Sequence, residues 1–451
     1  MAYLYGASVQ GIQEFIFKTN KLKEIVGASE IVKGLEEDLS AYSPDEVIVN
    51  AAGNIKAIFK SEEKAKKIVL EFPQKIMQKA YGITISQAIV AFEGDYPNKD
   101  DFFELEKRLK TQRNKQNIDL DLGLNIFELA PSTAKPAVAR ENIQKSPTLI
   151  DKATQQKRQA NNKDELYNDI GKLSNTNNKI AIIHADGNGL GKLIPSLKKE
   201  LSAFSRNLDI ATKAAFEDAT TPEMKIREVI LGGDDMTIIC DADSALEFTH
   251  NYLKNFEEQS EKLTGHKLTA CAGITYCNEK YPFHYAVKLS EELCSYAKDT
   301  CERQASCLMF HNIQSSNVES YEKFIEDELI ITNDKETTSL HYGPYYIDET
   351  KGTSLTYFKN LLGALSLKGS PISSLRQWIS QLYFNHDYAQ SMIERIDEMA
   401  NIQKGYDKNT LNKNFKNLDE NLSLRTPIVD KKTPIYDVLQ ILSAQGKTNE
   451  I

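Results

Sequence analysis

The order of apolar and polar positions along the chain describes the same succession of elements twice. In the middle of the chain the pattern predicts a strand at 179–186 (KIAIIHAD), a helix from about 189, strands at 226–231 and 236–241, a helix at 243–263 and a strand at 268–276 (LTACAGITY). Near the N-terminus it predicts a strand at 3–8 (YLYGAS), helices within 11–40, strands at 46–50 and 55–59, a helix at 61–80 and a strand at 83–92 (ITISQAIVAF). Both copies read βαββαβ, about 180 residues apart, so the chain is expected to be internally duplicated. Between them, residues 93–178 read as a long polar linker in which QQKRQANNKDE (155–165) is helical or mobile. Beyond them comes a variable insertion at 314–353, with acidic ESYEKFIEDE and aromatic HYGPYY. Helical periodicity follows at 353–366 and 372–402, before a polar tail, and Trp378, Tyr383 and Phe384 are assigned to that helical core. The expected fold class is α+β: two ferredoxin-like βαββαβ domains in tandem and a C-terminal helical domain, divided at 1–92, 93–178, 179–313, 314–353 and 354–451.

Superposing the copies separates what the fold needs from what chemistry needs. SVQG (8–11) falls on DGNG (186–189), and VNAAGNIKAIF (49–59) falls on ILGGDDMTIIC (230–240). Ser8 then stands for Asp186, and Gly53 with Asn54 for Asp234 with Asp235. A turn that forms without carboxylates in the first copy does not require them in the second. Right-handed crossovers give a βαββαβ sheet the order 4-1-3-2, which sets the end of the first strand beside the start of the third. Asp186, Asp234 and Asp235 therefore converge, and their mutual repulsion calls for a cation. Oxygen ligands with room for water and phosphate suit Mg²⁺ or Mn²⁺. DGNGLGK (186–192) also runs from a strand straight into a helix, where main-chain N–H groups meet an anion. Gly187, Asn188, Gly189 and Gly191, with the hairpin glycines Gly232 and Gly233, are thus expected to bind a nucleoside triphosphate. A bound metal would activate a ribose hydroxyl to attack the α-phosphorus. The silent first copy, at Ser8 and Gly53, is assigned to the acceptor nucleotide.

Composition narrows the alternatives. A net charge of −9 gives no global basic field for nucleic acid, although KRLKTQR (107–113) and KGYDKNTLNKNFK (404–416) are locally basic and read as solvated faces. No apolar run approaches the roughly 18 residues that span a bilayer, and the first residues do not read as a signal peptide, so a cytoplasmic protein is expected. The six cysteines (240, 271, 277, 294, 301, 307) show no CxxC spacing and are read as reduced thiols, with neither a disulfide framework nor a zinc site. The seven histidines form no HExxH and no His-Asp pair, which leaves a metal-dependent nuclease without support.

At GIQEFIFKTNKLKEIVGAS (11–29), HADGNGLGK (184–192) and LGGDD (231–235) the sequence resembles the palm domains of the large subunit of type III CRISPR effector complexes, related to GGDEF nucleotide cyclases. The likeness runs over about residues 1–312, with a degenerate first palm and an active second one. It implies that ATP is converted, with a divalent metal, into cyclic oligoadenylate or a related messenger. It also implies that Asp186, Asp234, Asp235 and the Gly187 carbonyl hold the metals, and that Lys298 binds triphosphate. The implied partners are ATP and CRISPR-type RNA or protein subunits, with no membrane; a homodimer stays open. The HD nuclease domain and the inter-palm cysteine zinc site of the family have no counterpart in these residues, which puts membership of an RNA-guided complex in doubt. Two other readings stand beside this one: a non-catalytic nucleotide- or RNA-binding scaffold, and a GTP-using GGDEF-like cyclase.

Overall fold

The computed structural model describes residues 1–51, 53–115, 126–143, 146–161, 170–197, 200–314, 320–332, 337–400 and 407–446. Its first unit runs β1 (Ala2–Gln10), α1 (Ile12–Phe17), α2 (Leu22–Glu37), β2 (Glu46–Ala51), β3 (Asn54–Phe59), α3 (Glu62–Lys79) and β4 (Thr84–Phe92). The sheet order is β2-β3-β1-β4, with β1 antiparallel to both neighbours. The Ser61 side chain caps α3, whose Ala65, Ile68, Phe72 and Ile76 recur at three- and four-residue intervals and are all buried.

The residues expected to form a linker complete this unit. A capping box at Asn98 starts α4 (Lys99–Arg113), which buries Leu105 and Leu109. Gly6 makes room for it: a Cβ there would lie 2.8 Å from Leu105 Cδ2. The first domain thus extends past residue 92. A hairpin of β5 (Ala137–Ile143) and β6 (Ser146–Asp151) leads into α5 (Lys152–Ala160), capped by the Asp151 side chain. The buried Lys157 ammonium of α5 donates to the Phe15 carbonyl, and a Cβ on Gly27 of α2 would strike the Lys157 carbonyl. Residues 155–160 of the stretch expected to be helical or mobile are helical, and 162–165 lie outside the described residues. A short α6 (Ile170–Leu173) follows.

The second unit comprises β7 (Lys179–Gly187), α7 (Leu190–Leu197), α8 (Leu201–Ala219), β8 (Ile226–Gly232), β9 (Asp235–Asp241), α9 (Ala245–Thr264), β10 (Ala270–Asn278), α10 (Phe283–Thr300) and β11 (Cys307–Asn312). The region read as an insertion holds α11 (Tyr321–Phe324), the two-stranded β12 (Ile330–Thr332) and β13 (Thr337–Ser339), and β14 (Tyr345–Tyr346). The sheet order is β14-β11-β10-β7-β9-β8, which contains the expected 4-1-3-2 core. Two strands are added beyond β10: β11 runs parallel to β10, and β14 returns from the supposed insertion to pair with β11 as the edge. Tyr345 fixes that return, stacked at 5.5 Å on Phe310 and donating its hydroxyl to Asp437.

The C-terminal region packs α12 (Leu355–Ser366), α13 (Ile372–Leu382), α14 (His386–Ala400), α15 (Lys408–Leu418) and α16 (Ile435–Ala444). Trp378 is buried as expected, but Tyr383 and Phe384 are 42% and 80% exposed, because they fall at the break between α13 and α14. The expected polar tail is also corrected. Leu411 and Phe415 of α15 are buried, and so are Ile435, Val438 and Ile441 of α16. Asp437 and Gln440 interrupt the apolar pattern of α16, yet both are buried and bonded, Asp437 to Tyr345 and Gln440 to the Asn312 main chain. No helix among the described residues is long and apolar enough to cross a membrane.

The two sheets are joined through α2 and β8. The Ser29 hydroxyl donates to the Val229 carbonyl, and Lys33 pairs with Glu228.

One close approach controls where α10 lies, and α10 carries Lys298. A Cβ on Gly273 of β10 would lie 2.0 Å from the Ser290 carbonyl oxygen and 2.6 Å from Cys294 N. Gly273→Ala is therefore expected to push the helix off the sheet and destabilise the protein by about 1–3 kcal/mol or more. Denaturant unfolding checks this, and an unchanged midpoint would contradict so close a packing.

Candidate functional site

The hairpin between β8 and β9 closes with the pair Gly232 and Asp235, leaving Gly233 and Asp234 as a two-residue turn. Gly233 has φ 63°, a left-handed value that glycine adopts without steric cost. The turn is held from behind by α8: the Thr212 hydroxyl donates to the Gly233 carbonyl at 2.5 Å, and Asp209 accepts from Gly233 N at 3.2 Å. From the side, Gly187 N donates to the Asp234 carbonyl at 3.2 Å. Asp186 and Asp235 are register partners across β7 and β9. Gly187 must lack a side chain, since a Cβ would stand 2.9 Å from the Asp234 Cβ. The structure thus brings Asp186, Asp234 and Asp235 together at one end of the sheet.

The electrostatics of this recess are unbalanced. The Asp186 and Asp235 side chains keep 37% and 39% of their surface exposed, yet protein atoms crowd the carboxylates on their other sides. Desolvation, then Asp186 and Asp235, pushes Asp234 up to about 8. Desolvation, then Asp186, pushes Asp235 up to about 7. Lys298 answers part of this charge: its ammonium bonds to Asp186 Oδ2 and, at 2.8 Å, to the Gly187 carbonyl. That ammonium bonds to one of the three carboxyl groups, and a hard divalent cation fits the all-oxygen donor set. The Lys298 ammonium occupies two of the oxygens expected to bind such an ion.

The glycine-rich turn divides into two parts. Gly189, with φ 75°, and Gly191 are exposed with open space beside them at the start of α7. Asn188 instead turns its side chain inward, where its amide donates to Thr269 Oγ1, the Ala305 carbonyl and Cys271 Sγ. In the first unit, Val9 N donates to the Gly53 carbonyl just as Gly187 N does to Asp234. Ser8 is buried, with its hydroxyl on Asn54 Oδ1 at 3.1 Å. A Cβ on Gly53 would lie 2.4 Å from Ile12 Cδ1 and 3.1 Å from Val9 Cβ, so apolar side chains pack where Asp234 projects in the second unit.

Two neighbours of the carboxylates escaped the sequence reading. His184, two residues before Asp186 on the same strand face, meets Thr237 Oγ1 at 3.1 Å and comes within 3.9 Å of Asp235 Oδ1. Burial pushes it down to about 4, so it is neutral at pH 7. Its two-residue spacing from Asp186 was the available signal. Glu291 lies two helical turns before Lys298 on α10, and its Oε1 is buried without a partner. Burial, then Asp235, pushes it up to about 7. A lone glutamate in an amphipathic helix carries no such signal.

Tandem βαββαβ sheets, one of them ending in a carboxylate recess, define a tandem-palm fold. Residues 179–307 match the family described as Cas10/Cmr2, second palm domain. The chain as a whole is similar in fold to solved Csm1-Csm4 cassettes. Against the one in complex with cA4 the TM-score is 0.55 at 15% identity, covering 98% of this chain and 70% of that one. Against the complex with cA3 it is 0.58 at 16% identity, covering 98% and 69%. Against the apo cassette it is 0.56 at 16% identity, covering 98% and 70%. No curated protein matches the chain.

The raised carboxyl groups give stability a definite pH dependence. Because Asp234 and Asp235 hold protons in the folded chain that the unfolded chain releases near pH 4, stability without divalent ions falls as pH rises from about 4 toward 8. In chelator, Asp234→Asn is expected to raise Tm at pH 8 by a few degrees and to flatten the slope between pH 5 and 8. Calorimetry across that range checks it. Parallel slopes in the variant and the parent would contradict the crowding of charge.

Proposed function

We propose that the second palm is a metal-dependent nucleotidyltransferase that converts ATP into cyclic oligoadenylate or a related nucleotide messenger in CRISPR-type signalling. The observation that carries this reading is the convergence of Asp186, Asp234 and Asp235 beside the open start of α7. It is supported by the likeness of fold to Csm1-Csm4 cassettes holding cA4, cA3 and pppApA. The three carboxylates and the Gly187 carbonyl would hold Mg²⁺ or Mn²⁺, which would supply charge neutralisation for the triphosphate and a lowered pKa for the attacking hydroxyl.

The chain's own groups prepare that site. Gly189 and Gly191 leave open the space where side chains would stand at the positive end of α7, which gives phosphate oxygens room to approach it. Neutral His184, held by Thr237 Oγ1, stands 3.9 Å from Asp235 Oδ1. Lys298 holds Asp186 and the Gly187 carbonyl, and its ammonium would suit triphosphate oxygens brought to that turn. With Ile12 and Val9 packed at Gly53, an acceptor nucleotide would rest on the surface between the palms and not inside the first hairpin. A Csm4-like protein partner belongs to the same proposal.

Incubating the protein with each nucleoside triphosphate and Mg²⁺ or Mn²⁺, followed by mass spectrometry, tests the activity. ATP is expected to be consumed with loss of pyrophosphate and to give adenylate rings or oligomers. The Asp234→Ala, Asp235→Ala double variant, shown folded by circular dichroism, is expected to lose about 100-fold or more. Turnover within about tenfold of the parent would remove these residues from the chemistry. Preferential consumption of GTP would favour the GGDEF-like alternative.

A further inference from the structure

A second cluster of metal-type ligands lies beneath the carboxylate recess. Cys271, Cys301 and Cys307 come from β10, the end of α10 and the start of β11, and their sulfurs all lie within 4.8 Å of one another. Cys271 Sγ is 3.5 Å from Cys301 Sγ and 3.6 Å from Cys307 Sγ. These separations are far beyond a disulfide, at about 2.05 Å. They are close to the roughly 3.8 Å between two sulfurs on a tetrahedral zinc with Zn–S near 2.3 Å. All three residues are buried.

The surroundings are those of a ligand set and differ from ordinary apolar packing. The turn from α10 to β11 coils tightly, with Glu302 and Arg303 at positive φ and Gln304 N bonded back to the Cys301 carbonyl. That coil brings Cys301 and Cys307 to the same point. The Asn188 amide donates to Cys271 Sγ at 3.4 Å, an outer-sphere N–H···S contact of the kind that steadies a metal-bound thiolate. Cys294, also nearby, turns its sulfur to the Cys271 carbonyl and stands apart from the trio.

We propose that Cys271, Cys301 and Cys307 form a site for one thiophilic d¹⁰ cation, Zn²⁺ foremost, with a fourth position left to water or a carbonyl oxygen. Binding displaces the thiol protons as metal–sulfur bonds form. The site is distinct from the carboxylate recess in its donor chemistry, but the two adjoin. Cys271 is the register partner of Asp186, Cys301 follows Lys298 by one helical turn, and Asn188 links the trio to the glycine-rich turn. A bound ion would staple the end of α10 to the sheet and set the position of Lys298. Sequence spacing concealed the site, because its ligands are separated by 30 and 6 residues.

The test uses the intact chain, purified under reducing conditions without chelator. Elemental analysis is expected to find about one zinc per chain, and Co²⁺ exchanged into the protein is expected to give thiolate-to-cobalt charge-transfer absorption. Co²⁺ on the carboxylates gives none, which keeps the two sites apart, and Asp234→Ala should leave the band intact. The Cys301→Ser, Cys307→Ser double variant is expected to lose the band and at least fivefold of the zinc, whereas Cys277→Ser, a buried cysteine outside the trio, keeps both. Chelator is expected to lower Tm of the unmutated chain, a readout that needs no variant to fold. Absence of the band in the unmutated chain, retention of metal by the double variant, or a Cys271–Cys301 disulfide found by non-reducing mass spectrometry would each overturn the proposal.

Discussion

Electrostatic repulsion within one small recess is the constraint around which the second palm is arranged. Asp186, Asp234 and Asp235 are forced together by strand register and by a two-residue turn, and burial, with this proximity second, raises Asp234 to about 8 and Asp235 to about 7. Like charges in a confined volume are unfavourable, and a folded chain retains them where something binds there. The surrounding structure holds the arrangement against that repulsion: α8 grips the Gly233 turn through Thr212 and Asp209, and α10 brings Lys298 to Asp186. The first palm, free of the carboxylates, builds the same hairpin with Ser8 on Asn54 and Ile12 against Gly53. Comparing the two separates the features the fold needs from the carboxylates it can do without.

The duplicated pattern was legible because βαββαβ units alternate short apolar strands with amphipathic helices, and both signals are local. Sheet order followed from the handedness of the crossovers, which is why three aspartates distant in sequence could be placed at one site. Features that depend on tertiary partners were not legible. The α16 helix read as a polar tail because Asp437 and Gln440 break its apolar stripe, and only the fold supplies Tyr345 and Asn312 to satisfy them. Strand β14 read as part of an insertion because two residues carry no periodicity. Helix α4 looked like linker since Leu105 and Leu109 are sparse among charges, and the absent side chain of Gly6 admits Leu105.

The same distinction holds within the site. Asp186, Asp234 and Asp235 could be read from the paired copies, whereas His184 and Glu291 take their character from burial against those carboxylates. Neither residue type announces such a role, and their proximity is a product of folding. The thiol trio is a stronger case. Its cysteines meet only after α10 packs on β10 through Gly273 and the following turn reverses the chain. The hard-ligand and soft-ligand clusters therefore share one mechanical element, α10, with Lys298 and Cys301 a single turn apart.

The central claim is that the carboxylate recess takes a divalent cation in place of the Lys298 ammonium. A crystal structure with Mn²⁺ and a non-hydrolysable ATP analogue, with anomalous scattering recorded for manganese, tests it most directly. The expected result is an anomalous peak bounded by Asp186, Asp234, Asp235 and the Gly187 carbonyl, with the triphosphate at the start of α7 and Lys298 released from Asp186 to the phosphates. An empty recess in which Lys298 still bonds to Asp186 and Gly187, with nucleotide bound elsewhere or not at all, would contradict the account.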